Sequence, residues 1–259
     1  MKGLILAAGP GRRLEPVTQG VPTCLVQFGD RTILDCQIEA LSAAGISEIG
    51  IVTGYNRPYI LNHLRRTYFG WRKAFHIINN PWFRSTNSMY SLWLSCDWVN
   101  GESFVCLNAN VLFHPRILLP ALKAVSRTSM IVDSEWRDEK MKVIIRDAKV
   151  VQMSKGIGRH EYNGSYIGIT TFAREVTGLL FDEIGAMVTN GELYESFTAA
   201  VQRLVGRGLR VGFTSTQGLP WAEIDDPSDL ELARTHVHPR LPTGTWGWIP
   251  RTAHTPKVA

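Results

Sequence analysis

Near the N-terminus, the string Leu6-Ala7-Ala8-Gly9-Pro10-Gly11-Arg12-Arg13-Leu14 sets two glycines and two arginines directly behind a short apolar run. Glycine lets a backbone come close to a ligand, and consecutive N–H groups in such a loop form a nest for anionic oxygens. Arginine adds a planar fork of donors that suits phosphate oxygens. The chemistry implied is phosphate binding. Two familiar phosphate loops do not fit. The dinucleotide fingerprint G-x-G-x-x-G meets Leu14 where its third glycine belongs, and the P-loop lacks its G-K-[ST].

Other reactive residues form weaker patterns. Cys24, Cys36, Cys96 and Cys106 show no C-x-x-C spacing, so they are expected as reduced, mostly buried thiols. The histidines contain no H-E-x-x-H, and His236 and His238 sit two apart in a Pro-rich tail. Asp133, Glu135, Asp138 and Glu139 read as a solvated charge run, and His160-Glu161 as a surface pair. Tyr162 and Tyr166 have the chemistry to cover a choline-like cation, although packing in the core or rim is the simpler expectation.

The glycine string continues through Pro16, Thr18, Pro22 and Leu25. As a whole it resembles the nucleotidyltransferase signature L-A-A-G-x-G-x-R-L-x-P-x-T-x-x-x-P-K-x-L. Downstream, Asn80-Pro81 to Thr86-Asn87 and Tyr90-Ser91-Leu92 are similar to a segment of phosphocholine-type cytidylyltransferases. Leu107 to Pro115 (LNANVLFHP) resembles their metal-site strand, and Tyr166-Ile167-Gly168-Ile169 and Trp221 to Asp225 match later landmarks in the same order. The likeness spans residues 2–234.

The resemblance implies a Rossmann-like (GT-A-like) α/β nucleotidyltransferase domain with a mixed, mostly parallel sheet and added antiparallel strands. It also implies a reaction, in which a nucleoside triphosphate and a phosphorylated or phosphonylated small molecule give a nucleotidyl-linked product and pyrophosphate. Cytidine as the base rests on the segment ending Tyr90-Ser91-Leu92. Carried over by position, the nucleotide would be bound by Leu6, Ala7, Ala8, Gly9, Gly11, Arg12, Arg13, Thr23, Asn87, Ser91 and Asn110. Arg13 and Asp225 would be catalytic, and Ser165, Tyr166 and Glu223 would meet the acceptor. Asn110 and Asp225 would hold Mg²⁺ between the substrates.

Three positions that carry charge in the family are neutral here: Thr23 replaces the signature lysine, Asn110 the first metal aspartate, and Ser165 the acid before Tyr166. Thr23 removes a cation whose hydrogen bonds contribute about 1.5–3 kcal/mol each. Asn110 still offers Mg²⁺ a carbonyl oxygen, without the negative charge a hard cation prefers. Losing about 3–4 kcal/mol of transition-state stabilisation slows turnover by about 10²–10³. Three readings stay open: a working cytidylyltransferase, a catalytically degenerate nucleotide-binding or regulatory subunit, and a protein repurposed for another reaction.

The elements that must position these residues follow from periodicity. Apolar runs at 2–8, 48–53, 74–78 and 103–108 predict buried strands, and helices fall near 33–43, 57–67, 87–97 and 115–125. The helix over 87–97 places Met89, Leu92, Trp93 and Cys96 on one face. This alternation predicts a parallel sheet covered on both faces. Strands near 128–134, 141–146, 149–154 and 163–171 follow, then helices near 173–187 and 192–206, strands at 209–215 and 220–224, and a helix from Pro227 to 235. One domain is expected over 1–235. The tail, 236–259, carries Pro239, Pro242, Pro250, Pro256, Trp246 and Trp248 and is expected to dock on its own domain or on a second copy in a homo-oligomer.

Composition fits this frame. The chain has 259 residues, 44 % of them hydrophobic and 20 % charged, enough for a core without a disulfide or metal staple. The formal charge of +5 comes from scattered basic spots at Arg12–Arg13, Arg65–Arg66 and Arg72–Lys73. That dispersal argues against a polynucleotide partner; an anionic small molecule would account for the bias equally well, and dispersed surface charge accounts for it best. No apolar run approaches the roughly 20 residues of a membrane span. The apolar stretch after Lys2 is short and is followed by Arg12–Arg13 rather than a cleavage site, so the reading is cytoplasmic.

Overall fold

The structure, a computed structural model, describes residues 1–123 and 128–244. In chain order the first half runs β1 (Lys2–Ala7), α1 (Glu15–Thr18), β2 (Gln27–Phe28), β3 (Arg31–Thr32), α2 (Ile33–Ala43), β4 (Ile49–Thr53), α3 (Arg57–Thr67), α4 (Trp71–Ala74), β5 (Phe75–Asn79), α5 (Ser88–Trp93), α6 (Cys96–Val99), β6 (Phe104–Asn108) and β7 (Val111–Phe113). The second half runs α7 (Leu118–Lys123), β8 (Ser129–Asp133), β9 (Lys142–Arg146), β10 (Lys149–Ser154), β11 (Gly164–Phe172), α8 (Arg174–Thr189), α9 (Phe197–Gly206), β12 (Gly212–Ser215), β13 (Trp221–Glu223) and α10 (Pro227–Leu232).

β5, β4, β1 and β6 form a parallel block, and β11 closes against β6 in the antiparallel sense. Beyond it, β8 and β9 both pair antiparallel with β11; β12 joins β8 in parallel and β10 joins β9. The mixed sheet with antiparallel additions is the expected fold class. β1 shows why the sheet is central. Its Leu4 and Leu6 pack with Met89, Leu180 and Phe197 on one face, while Ile5 and Ala7 pack with Leu34, Ile38 and Ile60 on the other. A strand buried on both faces must be apolar throughout, and its side chains must alternate between two helix layers.

α2 is anchored at its start by a capping box, in which Thr32 Oγ1 accepts from the Asp35 N–H and Asp35 accepts from the Thr32 N–H. Asp35 also receives the Tyr68 hydroxyl at 2.7 Å and pairs with His63 Nε2 at 2.8 Å, which ties α2 to the end of α3.

Three elements differ from expectation. The helix over 87–97 is two pieces, because the Ser95 hydroxyl donates to the Leu92 carbonyl and the chain restarts at Cys96. The helix expected from 192 begins only at Phe197; residues 192–195 instead turn so that the Leu193 and Tyr194 carbonyls accept from Asn87. The strand at 220–224 lies outside the main sheet, since β13 pairs with β7 alone.

After α10 the chain turns through 233–240 and buries Val237 and Leu241 with Phe28, Ile33 and Leu112. The Arg31 guanidinium donates to the Pro242 and Gly244 carbonyls, so residues 236–244 dock on the chain's own β2–β3 hairpin. Trp246, Trp248, Pro250 and Pro256 lie outside the described residues, as does the end of the helix expected at 115–125. Among the described residues, no helix is long and apolar enough to cross a membrane.

Candidate active site

The carboxyl ends of β1 and β6 open into a cleft of 520 Å³, the place where open α/β sheets receive ligands. Leu6, Ala7, Ala8, Gly9, Gly11, Arg12 and Arg13 line it, together with Thr23. Gly11 holds φ at +59°, and a Cβ built on it would run into the Thr23 hydroxyl. The loop therefore needs glycine twice over, for its left-handed backbone and for its close approach to residue 23. Gly9 faces open space, which leaves its backbone accessible to a ligand.

Asn80, Thr86, Asn87 and Ser91 form the facing wall. The buried Asn80 amide donates to Thr86 Oγ1 at 3.1 Å and to Ser91 Oγ at 3.0 Å, and its oxygen accepts from the Trp82 N–H. Asn87 is committed at both ends of its amide: the oxygen accepts from the Ser88 N–H and the nitrogen donates to the Tyr194 carbonyl. Ser91 accepts from Asn80 and keeps its own proton to donate.

At the third wall, Asn110 and Asp225 meet although 115 residues separate them. The antiparallel pairing of β7 and β13 brings them together, and the Ile224 N–H donates to the Asn110 carbonyl at 2.8 Å. Asn110 Nδ2 donates to Asp225 Oδ1 at 2.9 Å. Asp225 Oδ2 takes Lys140 Nζ at 2.9 Å and Arg13 Nη2 at 3.1 Å. Lys140 also touches Glu223 Oε2 and Asp229 Oδ2, each at 3.3 Å. Burial works against the Lys140 charge, but the carboxylates outweigh it and raise its pKa. Burial pushes the Glu223 carboxyl up, with Lys140 opposing.

Mg²⁺, which the family resemblance places between Asn110 and Asp225, does not fit these residues as they stand. Both Asp225 oxygens already accept from donors, and Asn110 turns its NH₂ toward the carboxylate. Among the described residues, no group of three or more His, Cys, Asp or Glu is arranged to hold a metal ion.

The expected acceptor residues divide. Tyr166 and Glu223 line the cleft. Ser165 does not; it is fully buried, donates to the Glu135 carbonyl at 3.0 Å and meets the Tyr162 hydroxyl at 3.3 Å. Tyr166 spends its hydroxyl on Thr170, and Tyr162 packs edge-on against Trp136 at 4.9 Å. Lys142 and Arg159 lie over the Trp136 ring, so the chain's own cations occupy that aromatic surface. The acidic run at 133–139 is not simply solvated, because Asp133 is buried and accepts from Thr216 and the Glu135 N–H, while Glu139 faces the cleft. Sequence reasoning missed Asn80, Lys140 and Lys155; Lys155 lines the cleft as a third cation beside Arg12 and Arg13. No local pattern marks either lysine: Lys140 stands in a mixed charge run with Arg137, Asp138, Glu139 and Lys142, and Lys155 is one basic residue before Gly156. Asn80 does stand in the segment that resembles phosphocholine-type cytidylyltransferases, but no role is given to it there.

The free cysteines agree with the expectation of reduced thiols. Cys24, Cys36 and Cys106 are buried, and burial pushes the Cys24 thiol up to about 12.

Known proteins share this architecture. The chain is 26 % identical over 258 residues to the CTP:phosphoglutamine cytidylyltransferase of Campylobacter jejuni, covering 90 % of this chain and 98 % of that protein. It is 32 % identical over 164 residues to the choline-phosphate cytidylyltransferase of Streptococcus pneumoniae, covering 61 % and 69 %. The solved inositol-1-phosphate CTP transferase from T. maritima superimposes with a TM-score of 0.71 at 22 % identity, covering 88 % of this chain and 90 % of that one, a likeness of fold. The nucleotidyl transferase family model matches residues 2–138, more than half of the sequence, and this chain is a member of the nucleotidyl transferase family.

Proposed function

We propose that this chain transfers a cytidylyl group from CTP to a phosphate or phosphonate oxygen of a small molecule and releases pyrophosphate. The observation that carries the reading is the cleft itself. The Gly9–Gly11 loop, Arg12, Arg13 and Lys155 bring anion-binding groups to one 520 Å³ space at the carboxyl ends of β1 and β6. The similarity to a cytidylyltransferase over 90 % of the chain supports the choice of base.

In this reading an acceptor oxygen attacks the α-phosphorus in line. The new P–O bond forms as the bond to the bridging oxygen breaks, and that electron pair leaves with pyrophosphate. The chain contributes positioning and charge neutralisation. The loop N–H groups and Arg12 hold the departing phosphates, and Arg13, fixed by Asp225, meets the same charge from the other side. Lys155 supplies a cation for the acceptor phosphate. The Trp136–Tyr162 pair is already covered by Lys142 and Arg159, which disfavours a quaternary-ammonium acceptor there.

The Asn110–Asp225 hydrogen bond favours a second reading, in which the cleft binds nucleotide without turning it over. Pyrophosphate release from CTP, UTP, GTP, ATP and dTTP separates the two. The acceptor panel is phosphorylated amides, aminoalkyl phosphonates and sugar phosphates, and a Thr23→Lys/Asn110→Asp variant runs beside the native chain. CTP-dependent release by the native chain is expected. Release by the variant alone would establish the binding reading, and no CTP binding by either protein would overturn both.

A further inference from the structure

Lys140 belongs to none of the motifs that mark the family resemblance, yet its ammonium sits at the centre of the acidic wall. Four oxygens surround it: Asp225 Oδ2 at 2.9 Å, the Glu223 carbonyl at 3.1 Å, and Glu223 Oε2 and Asp229 Oδ2 at 3.3 Å. Carboxylate and carbonyl oxygens are the donor set of a hard cation. Here the cation is part of the chain, and its side chain is only 6 % exposed.

We propose that the Lys140 ammonium takes the place of a divalent metal ion in this cleft, so that nucleotide is bound without a metal held by residues 110 and 225. Two cations of the chain offset two of the three acidic charges at this wall. Three carboxylates face one ammonium and one guanidinium, that of Arg13. An aspartate at 110 would press a further negative charge against Asp225 Oδ1, where the neutral Asn110 donates a hydrogen bond instead. Only the NH₂ end of that amide can face a carboxylate. Asn110 and Lys140 therefore act as a pair: one removes the charge a metal needs, and the other supplies the charge a metal would bring. Lys140 acts through Asp225, holding the carboxylate that orients Arg13, and is a positioning residue. A divalent ion binding at Asp225 would have to displace or repel an ammonium within hydrogen-bond distance of the same oxygen.

The metal part of this proposal stands on its own, and the nucleotide part rests on the reading of the cleft as a CTP site. Mn²⁺ binding followed by electron paramagnetic resonance on nucleotide-free full-length protein tests the first part. No stoichiometric Mn²⁺ is expected on the native chain, and one Mn²⁺ per chain is expected on Lys140→Met/Asn110→Asp. Asn110→Asp alone, which leaves the buried cation in place and so keeps the test open if the double variant fails to fold, is expected to bind none. A Mn²⁺ site in the native chain that disappears in Asp225→Ala would overturn the proposal, as would a site in Asn110→Asp alone. So would a folded double variant that binds no Mn²⁺. Calorimetric titration of CTP in EDTA and in Mg²⁺ tests the second part, with native affinities agreeing within about threefold; a loss of about tenfold or more in EDTA would overturn it. Absence of CTP binding in both buffers would sink the proposed function while the Mn²⁺ count still decides the role of Lys140.

Discussion

The Arg13 guanidinium lies 3.1 Å from the Asp225 carboxylate, joining the loop after β1 to the end of β13 across the mouth of the cleft. Arg13 is half-exposed, so the contact itself adds little to stability. Its consequence is orientation, because a guanidinium held at one end presents its remaining donors to the cleft. Arg13→Ala and Asp225→Ala are therefore expected to be non-additive. A double-mutant cycle on kcat/KM for CTP should show a coupling of about 0.5–3 kcal/mol, with each single variant losing about tenfold or more. Additive losses would mean that the pair does not act as a unit.

Gly11 and Thr23 are in close approach, and that contact makes Gly11→Ala costly. A left-handed backbone costs a non-glycine residue roughly 1–2 kcal/mol, to which the collision with the Thr23 hydroxyl adds. Thermal unfolding should show Tm lower by about 2–4 °C per kcal/mol for a chain of this size. Nucleotide affinity should fall with it, and Gly11→Ala/Thr23→Gly should recover the collision part of the stability but not the backbone part.

Asn80 supports the wall opposite the glycine loop through two donated bonds and one accepted bond. Asn80→Ala leaves Thr86, Ser91 and the Trp82 N–H without that partner, and should lower stability by about 1–3 kcal/mol in urea unfolding. Asn80→Asp keeps the shape but loses both donors. It should weaken CTP binding as well, since it adds a negative charge to a phosphate cleft.

Asp35 predicts the acid limb of the stability curve. Burial pushes its carboxyl up, but the hydrogen bond and charge of His63, with Thr32 and Tyr68, outweigh burial and bring it down to about 2. A carboxyl lower in the folded than in the unfolded chain stabilises the fold above its unfolded pKa of about 3.9. That contribution, about 2–3 kcal/mol, should be lost as pH falls from about 4 toward 2. Asp35→Asn should flatten this part of the curve and cost about 2–4 kcal/mol at neutral pH, because one amide oxygen can serve either the Thr32 N–H of the capping box or the Tyr68 and His63 side, not both.

Much of the fold was legible because local sequence reports burial directly. The apolar run of β1 read as a buried strand, and Gly9 to Arg13 behind it read as an anion-binding loop once the string continued through Pro16, Thr18, Pro22 and Leu25. The helix ends were harder. Ser95 interrupts a helix through a hydrogen bond of its own side chain, and residues 192–195 leave their helix to satisfy Asn87, choices that an apolar periodicity does not record.

The glycine loop, the order of strands and helices, and membership in the family were decided by residues close together in the chain, where spacing alone sets which side chains share a face. The acidic wall was decided by tertiary structure. Asn110, Lys140 and the Asp225–Asp229 segment come from three distant parts of the sequence, and the short β7–β13 pairing brings the first and last of them together. Ser165 occupies a family landmark position yet points into the interior, because β11 alternates its side chains and the Glu135 carbonyl claims its hydroxyl. A charge in a sequence has a sign and a position; which charge it faces, and whether water separates them, is settled only when the chain has closed around both.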